Sequence, residues 1–249
     1  MNAFSNWLNS SDIYEQYWGE SEAPEMTQEE FESKQLAELV AMINREPQPP
    51  NEAADRGTAL NDILDALQFG REVKTQYELA GEGQYYRARL NGFEFKFDAS
   101  LVHSLCLVFN TALPQYHLEC EMRTGKGDKV ILHGYPDYIF PTMIWDLKTT
   151  NKYSGEKYRN NWQRFVYPVA AMLGGAMTRC ETFTFYALEM RKERAIGVLT
   201  AKPFTETYDV EIDDAEARVR EFIESVMLPQ LDWLETQGMI PNNNIITEG

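Results

Sequence analysis

Residues 144–150, Ile-Trp-Asp-Leu-Lys-Thr-Thr, constrain this chain more than any other stretch. They have the apolar and β-branched character of a strand, yet two charges lie inside the run. Side chains alternate along a strand, so Asp146 and Lys148 share one face, with Trp145 and Leu147 on the other. Upstream, Gly134-Tyr135-Pro136-Asp137 ends a preceding β-rich run. If Asp137 closes that strand, it stands beside Asp146 across adjacent strand ends. Paired carboxylates repel unless a cation neutralises them, and an all-oxygen ligand set suits Mg²⁺ or Mn²⁺. A lysine next to such a metal can polarise a water or stabilise a pentacovalent phosphorane. Downstream, Gln163 and Tyr167 are four apart on an expected helix, so they face the same way and can orient a phosphate or the lysine.

Helical and strand patterns succeed one another along the chain. Thr27 with Glu30 is a capping-box signature ahead of Phe31, Leu36, Leu39, Val40 and Ile43, and Pro47-Gln48-Pro49-Pro50 marks a boundary. Leu60, Ile63, Leu64 and Leu67 line one face of a short helix over 56–67. Asn91-Gly92 predicts a type I′ turn between strands 85–90 and 93–97, and an apolar helix over 100–109 follows. Residues 124–128 join a second hairpin of 116–122 and 130–135, and 142–147 is a third β-rich segment. A helix over 157–173, strands at 182–188 and 195–199 with a turn at 191–194, and an amphipathic helix from Asp213 through Leu234 complete the chain. Pro168 removes one N–H from its helix and is expected to bend it.

The formal charge is −16, which taken alone argues against a nucleic-acid partner. The excess is not evenly spread. Residues 1–35 carry a net −7 and residues 205–249 a net −9, leaving 36–204 neutral. Inside that neutral stretch, Lys148, Lys152, Lys157, Arg159 and Arg164 face only Glu156, with Tyr153, Tyr158 and Trp162 interleaved. Cations for phosphates and aromatic faces for unstacked bases are what a single-strand or duplex-end channel needs. Cys106, Cys120 and Cys180 are widely spaced and form no CxxC, which argues for a reducing compartment and against a cysteine-built metal site. His103, His117 and His133 have no helical i, i+4 partner and read as structural. The longest central stretch without a charge, 165–177, is too short to cross a bilayer, and the N-terminus has no secretory n-region.

Taken in order, Gly134-Tyr135-Pro136-Asp137, Ile144 to Thr150, and Gln163 to Tyr167 resemble the core motifs of the PD-(D/E)XK nuclease superfamily, in its RecB-like and phage-exonuclease branch. The resemblance covers about residues 56–188. It implies that Asp137 and Asp146 are metal ligands, that Lys148 is the catalytic lysine, and that Gln163 and Tyr167 complete the site. The Leu147 carbonyl is implied as a further ligand, and Glu121, ahead of Glu119, as the upstream acid. The departure is at Gly57-Thr58-Ala59-Leu60-Asn61, where Asn61 stands in place of the family's histidine. One or two Mg²⁺ or Mn²⁺ ions are implied, with Lys152, Lys157, Arg159 and Arg164 as nucleic-acid contacts.

Element order and resemblance together predict an α/β fold, a three-layer α/β/α sandwich with a central mixed sheet. Residues 1–50 are expected as a helical extension on a nuclease-like domain of 51–249, a single folded unit overall. The expected activity is metal-dependent exonuclease hydrolysis of DNA phosphodiesters in recombination, repair or phage DNA processing. The expected partner is linear DNA, as a duplex end or single strand, beside a helicase or single-strand-annealing protein in the cytoplasm of a bacterial or phage-infected cell. The alternatives are a catalytically impaired module of the same fold that binds nucleic acid or protein, and an acidic interaction protein docking through its termini.

Overall fold

Short runs of β-branched and aromatic residues, punctuated by glycine and asparagine turns, form ten strands in a computed structural model that describes residues 1–19, 21 and 23–241. They are β1 (Gln76–Ala80), β2 (Tyr85–Leu90), β3 (Phe93–Asp98), β4 (Leu113–Pro114), β5 (Leu118–Arg123), β6 (Lys129–Gly134), β7 (Tyr138–Ile139), β8 (Met143–Thr150), β9 (Thr182–Lys192) and β10 (Leu199–Asp209). The helices are α1 (Asn2–Leu8), α2 (Ser10–Trp18), α3 (Gln28–Ile43), α4 (Glu52–Phe69), α5 (Ala99–Val108), α6 (Gln163–Leu173), α7 (Ile212–Phe222) and α8 (Leu228–Thr236). One π turn, Ile223–Met227, joins α7 to α8. Among the described residues no helix is long and apolar enough to cross a membrane.

Eight strands make one sheet in the order β1-β2-β3-β10-β9-β8-β7-β4, and β5 pairs with β6 separately. The sheet is mixed: β3 with β10 and β8 with β9 are parallel, the other neighbours antiparallel. The β2–β3 hairpin turns on Asn91 and Gly92, both at positive φ, as a type I′ turn requires. One face buries Leu147, Leu188, Phe97 and Tyr138 against Ala59, Leu60, Ile63 and Leu64 of α4 and Val102 and Leu105 of α5. On the other face α6 packs on β9, where Tyr167 meets Phe183. Sheet between helical layers is the predicted three-layer α/β/α sandwich.

This sandwich is one of two units and comprises Pro50–Glu121 and Leu132–Ala215. The other unit groups Met1–Pro49 and Met122–Ile131 with the described residues from Glu216 onward. Its core is Phe4, Leu39, Leu234 and Ile240, with Trp7 stacked on Trp233 at 5.9 Å. The expectation of an N-terminal extension followed by one domain over 51–249 lacks this regrouping. Apolar stripes on α1, α3 and α8 bury one another, which sequence distance does not forbid. In the same unit α3 starts with the expected capping box, Thr27 accepting from the Glu30 N–H while the Glu30 carboxylate accepts from the Thr27 N–H.

Among the element boundaries that differ from expectation, two shape the surroundings of the site. The helix expected from 157 begins at Gln163, because residues 151–162 form turns around Gly155 and Glu156, the latter at φ 58°. The strand expected at 195–199 is instead β10, which runs on to Asp209. Its many polar side chains mask the apolar signal, and its backbone pairs residue by residue with β9.

Candidate active site

The register of β8, β9 and β10 sets out the site as rows on one sheet face. Asp146, Phe185 and Glu206 form one row, Lys148, Ala187 and Phe204 the next, and Thr150, Glu189 and Lys202 a third. Asp137 directly precedes β7, whose Tyr138 pairs with Trp145 of β8. Behind this strand pair an aromatic cluster fixes the backbone. Phe109 stacks on Tyr138 at 3.8 Å, and Trp145 stacks on Tyr186 at 5.7 Å.

Asp137 accepts from donors on three segments. Its Oδ1 accepts from Asn61 Nδ2 at 3.0 Å and from Gln115 Nε2 at 2.9 Å, and its Oδ2 accepts from the Leu147 N–H at 2.7 Å. Asp146 is buried and its Oδ2 forms an ion pair with the Lys148 ammonium. Gln163 Nε2 lies 3.4 Å from Asp146 Oδ1 and donates to the Tyr167 hydroxyl at 3.0 Å. The five side chains singled out by spacing, Asp137, Asp146, Lys148, Gln163 and Tyr167, are therefore gathered in one place, and Asn61 joins them.

Charge at this spot is tightly coupled. Burial pushes the Asp137 carboxyl up to about 7, and the neighbouring Asp146 charge adds to the rise, against the pull of Lys148, the Leu147 N–H and Gln115. Burial raises Asp146 as well, with Lys148 opposing. For Lys148, burial disfavours the ammonium, but the two carboxylates more than offset it and its pKa stands above the ordinary value. Two carboxylates thus share one fixed positive charge, and the remaining negative charge calls for a proton or a cation.

Gly134 is required by contact. A Cβ there would meet the Tyr167 ring at 2.5 Å, so glycine lets the ring lie flat over the end of β6 and keeps its hydroxyl at Gln163.

The expected nucleic-acid residues are placed differently from one another. Lys152 is exposed, Lys157 donates to Thr150 Oγ1 at 2.6 Å, and Arg159 pairs with Glu156 at 3.0 Å. The Arg164 guanidinium lies over Phe165 at 4.2 Å and Tyr208 at 4.4 Å. The interleaved aromatics are spent on packing: Tyr153 stacks on Phe204 at 4.1 Å, Tyr158 on Phe185 at 5.0 Å, and Trp162 lies against Phe165 of α6 at 5.7 Å. Glu189 and Glu206 accept from the Tyr153 and Tyr158 N–H groups, which pins residues 151–162 over the rows beside Lys148. A channel of free aromatic faces is not what this segment forms.

Glu121 is exposed on β5, in the separate hairpin rather than in the eight-stranded sheet that carries Asp146. Leu147 touches Asp137 through its N–H rather than its carbonyl. Gln115 was not legible in the sequence. It follows the two-residue strand β4 at φ 46°, and only the pairing of β4 with β7 brings its amide to Asp137. His103 bonds the Tyr86 hydroxyl at 3.0 Å, and His117 stacks on Tyr135.

A divalent cation fits the donor set. Asn61 Oδ1 is buried without a hydrogen-bond partner on the same amide whose nitrogen contacts Asp137, so a free oxygen donor lies one side chain away from the carboxylate pair. Among the described residues no cluster of three or more His, Cys, Asp or Glu could hold a metal ion, so the ligands would be two carboxylates with amide and peptide oxygens.

No protein-family model matches the chain, and no curated protein matches it. A solved structure titled "Crystal structure of SSO0001" aligns over 80% of this chain and 86% of that one at 12% identity, with a TM-score of 0.34, a likeness too low to carry an argument.

Proposed function

We propose that the protein is a metal-dependent deoxyribonuclease of the PD-(D/E)XK type, acting as an exonuclease on linear DNA. The observation that carries this reading is the burial of Asp137 and Asp146 around a single ammonium, that of Lys148. Asp137, Asp146, the Asn61 amide oxygen and the Leu147 carbonyl are the groups that would hold Mg²⁺ or Mn²⁺. When bound, the ion supplies Lewis-acid charge at the phosphate and acidifies water. Lys148 is held protonated, so it serves as a fixed positive charge for the scissile phosphate rather than as a base. Gln163 and Tyr167 keep Asp146 and its surroundings in place from α6. The reading carries with it a cytoplasmic setting in a bacterial or phage-infected cell, and work in recombination, repair or phage DNA processing beside a helicase or single-strand-annealing protein.

The test is degradation of linear DNA with Mg²⁺ or Mn²⁺. Loss of at least a hundredfold in rate is expected for Asp146→Ala and for Lys148→Ala, on the scale of removing one preorganised electrostatic group. Full activity in either variant would sink the assignment.

A second reading is a catalytically impaired module of the same fold that binds nucleic acid or a protein. What favours it is that Asn61 and Gln115 both donate to Asp137 Oδ1, leaving that oxygen little capacity for a metal. Titration with millimolar Mn²⁺ separates the two, since the impaired module would give neither heat nor a thermal shift.

A further inference from the structure

A cavity of about 210 Å³ lies beyond the far end of β8, lined by Glu52 and Arg56 of α4, Glu94, Phe95 and Lys96 of β3, and Lys192, Gly197 and Leu199 where β9 turns into β10. That volume is several times the ~30 Å³ share of one liquid water, enough for a tetrahedral oxyanion that keeps part of its hydration. Three of the lining side chains are cations. The two acids are not equally available to them, because Glu94 is taken by Arg89 at 3.1 Å and Arg87 at 3.9 Å. Glu52, one helical turn before Arg56, stands exposed at the rim and its charge favours the Arg56 guanidinium without accepting a hydrogen bond from Nε.

The cations are short of acceptors. Among the described residues Lys192, which is exposed, has no acidic partner, and Lys96 reaches the Ile196 carbonyl at 3.4 Å and the Tyr85 ring at 5.5 Å rather than a carboxylate. Arg56 donates from Nη1 to Asn151 Oδ1 at 2.9 Å, but its Nε–H is buried without an acceptor. Buried donors are normally satisfied, and an anion in this cavity would supply the Arg56 Nε–H with an acceptor and lie between cations that have no carboxylate bound to them among the described residues. A guanidinium fork with two point charges suits the several oxygens and double charge of a phosphate better than a single planar carboxylate.

We infer that this cavity binds a phosphate group, and that the group belongs to the nucleic-acid strand being degraded. The second half rests on the nuclease reading. Its structural support is the Arg56–Asn151 bond, which ties the cavity to the residue that follows β8. Asn151 lies five residues from Asp146, about 16 Å along a strand, and alternation puts it on the α4 side of the sheet, so a polymer that passes round the end of β8 can occupy both places.

The experiment compares the wild type with Lys96→Gln/Lys192→Gln, two residues outside the candidate catalytic group, in EDTA. Inorganic phosphate, against chloride at equal ionic strength, is read by thermal shift, and a labelled single-stranded oligonucleotide by fluorescence anisotropy across salt. The expected results are a phosphate-dependent rise in Tm lost in the double variant and oligonucleotide binding weakened about tenfold. The slope of log K against log salt should be shallower by about 0.7, for the one phosphate that loses its lysine contacts. The Mn²⁺-dependent Tm shift should be retained, which shows the variant folded and its metal site untouched. An equal phosphate response in both proteins would overturn the site. A phosphate response lost without change in the oligonucleotide slope would overturn the strand assignment and leave free phosphate as the ligand. Absence of DNA hydrolysis by the wild type would remove the nuclease reading without altering the phosphate readout.

Discussion

Asp137 concentrates the demands of the site in one side chain, because three donors from three segments hold a carboxylate that burial would rather see protonated. Asp137→Asn is expected to abolish the Mn²⁺-dependent thermal shift by removing an anionic ligand. Lys148→Met acts in the opposite sense, leaving two buried carboxylates without their countercharge. Metal-free stability should fall by about 3–5 kcal/mol, the usual cost of breaking a buried pair from one side. Mn²⁺ should restore part of the loss, and urea denaturation in EDTA and in Mn²⁺ measures both effects. Asp146 and Lys148 were legible as partners because strand alternation is a local rule. Gln115 was not, since nothing near it in sequence shows that β4 will lie beside β7.

At the scale of elements, the site depends on how closely α6 lies on the hairpin end that carries Gly134. Gly134→Ala forces the Tyr167 ring away from a Cβ it would meet at 2.5 Å, at a cost of about 1–3 kcal/mol. Combining it with Tyr167→Ala should cost less than the two single changes added together, which a double-mutant cycle by denaturation reads directly. In the other unit, Thr27→Ala removes the cap of α3 and should cost about 1 kcal/mol. The cap and the Asn91-Gly92 turn were readable from a few adjacent residues. The start of α6 and the full length of β10 were not, because turn residues at 151–162 and polar side chains on β10 weaken periodicity where tertiary pairing decides the outcome.

For the whole molecule, the buried carboxylates link folding to pH. The Asp137 pKa is about 7 in the folded chain and near 4 for an ordinary carboxylate. Between those values the folded chain holds a proton that the unfolded chain has lost. Metal-free stability should therefore decline as pH rises from about 4 to 7 and level off above. Urea midpoints in EDTA at pH 5 and pH 8 check this, and Asp137→Asn should narrow the difference. Cation binding should strengthen over the same range, because the proton must leave first. The net charge of −16, which argued against nucleic acid, resides in the two ends of the chain, and the structure groups most of both ends in one unit. By itself the sequence determined the turn, the cap of α3, the shared face of Asp146 and Lys148 and the four-residue spacing of Gln163 and Tyr167, because periodicity and backbone sterics act over a few residues. Only the tertiary structure decided the strand order, the burial that sets the carboxylates' charge, the spending of Tyr153 and Tyr158 on the sheet, and the joining of α1 and α3 with α8. These depend on which distant segments remove water from one another, and no local pattern encodes that choice.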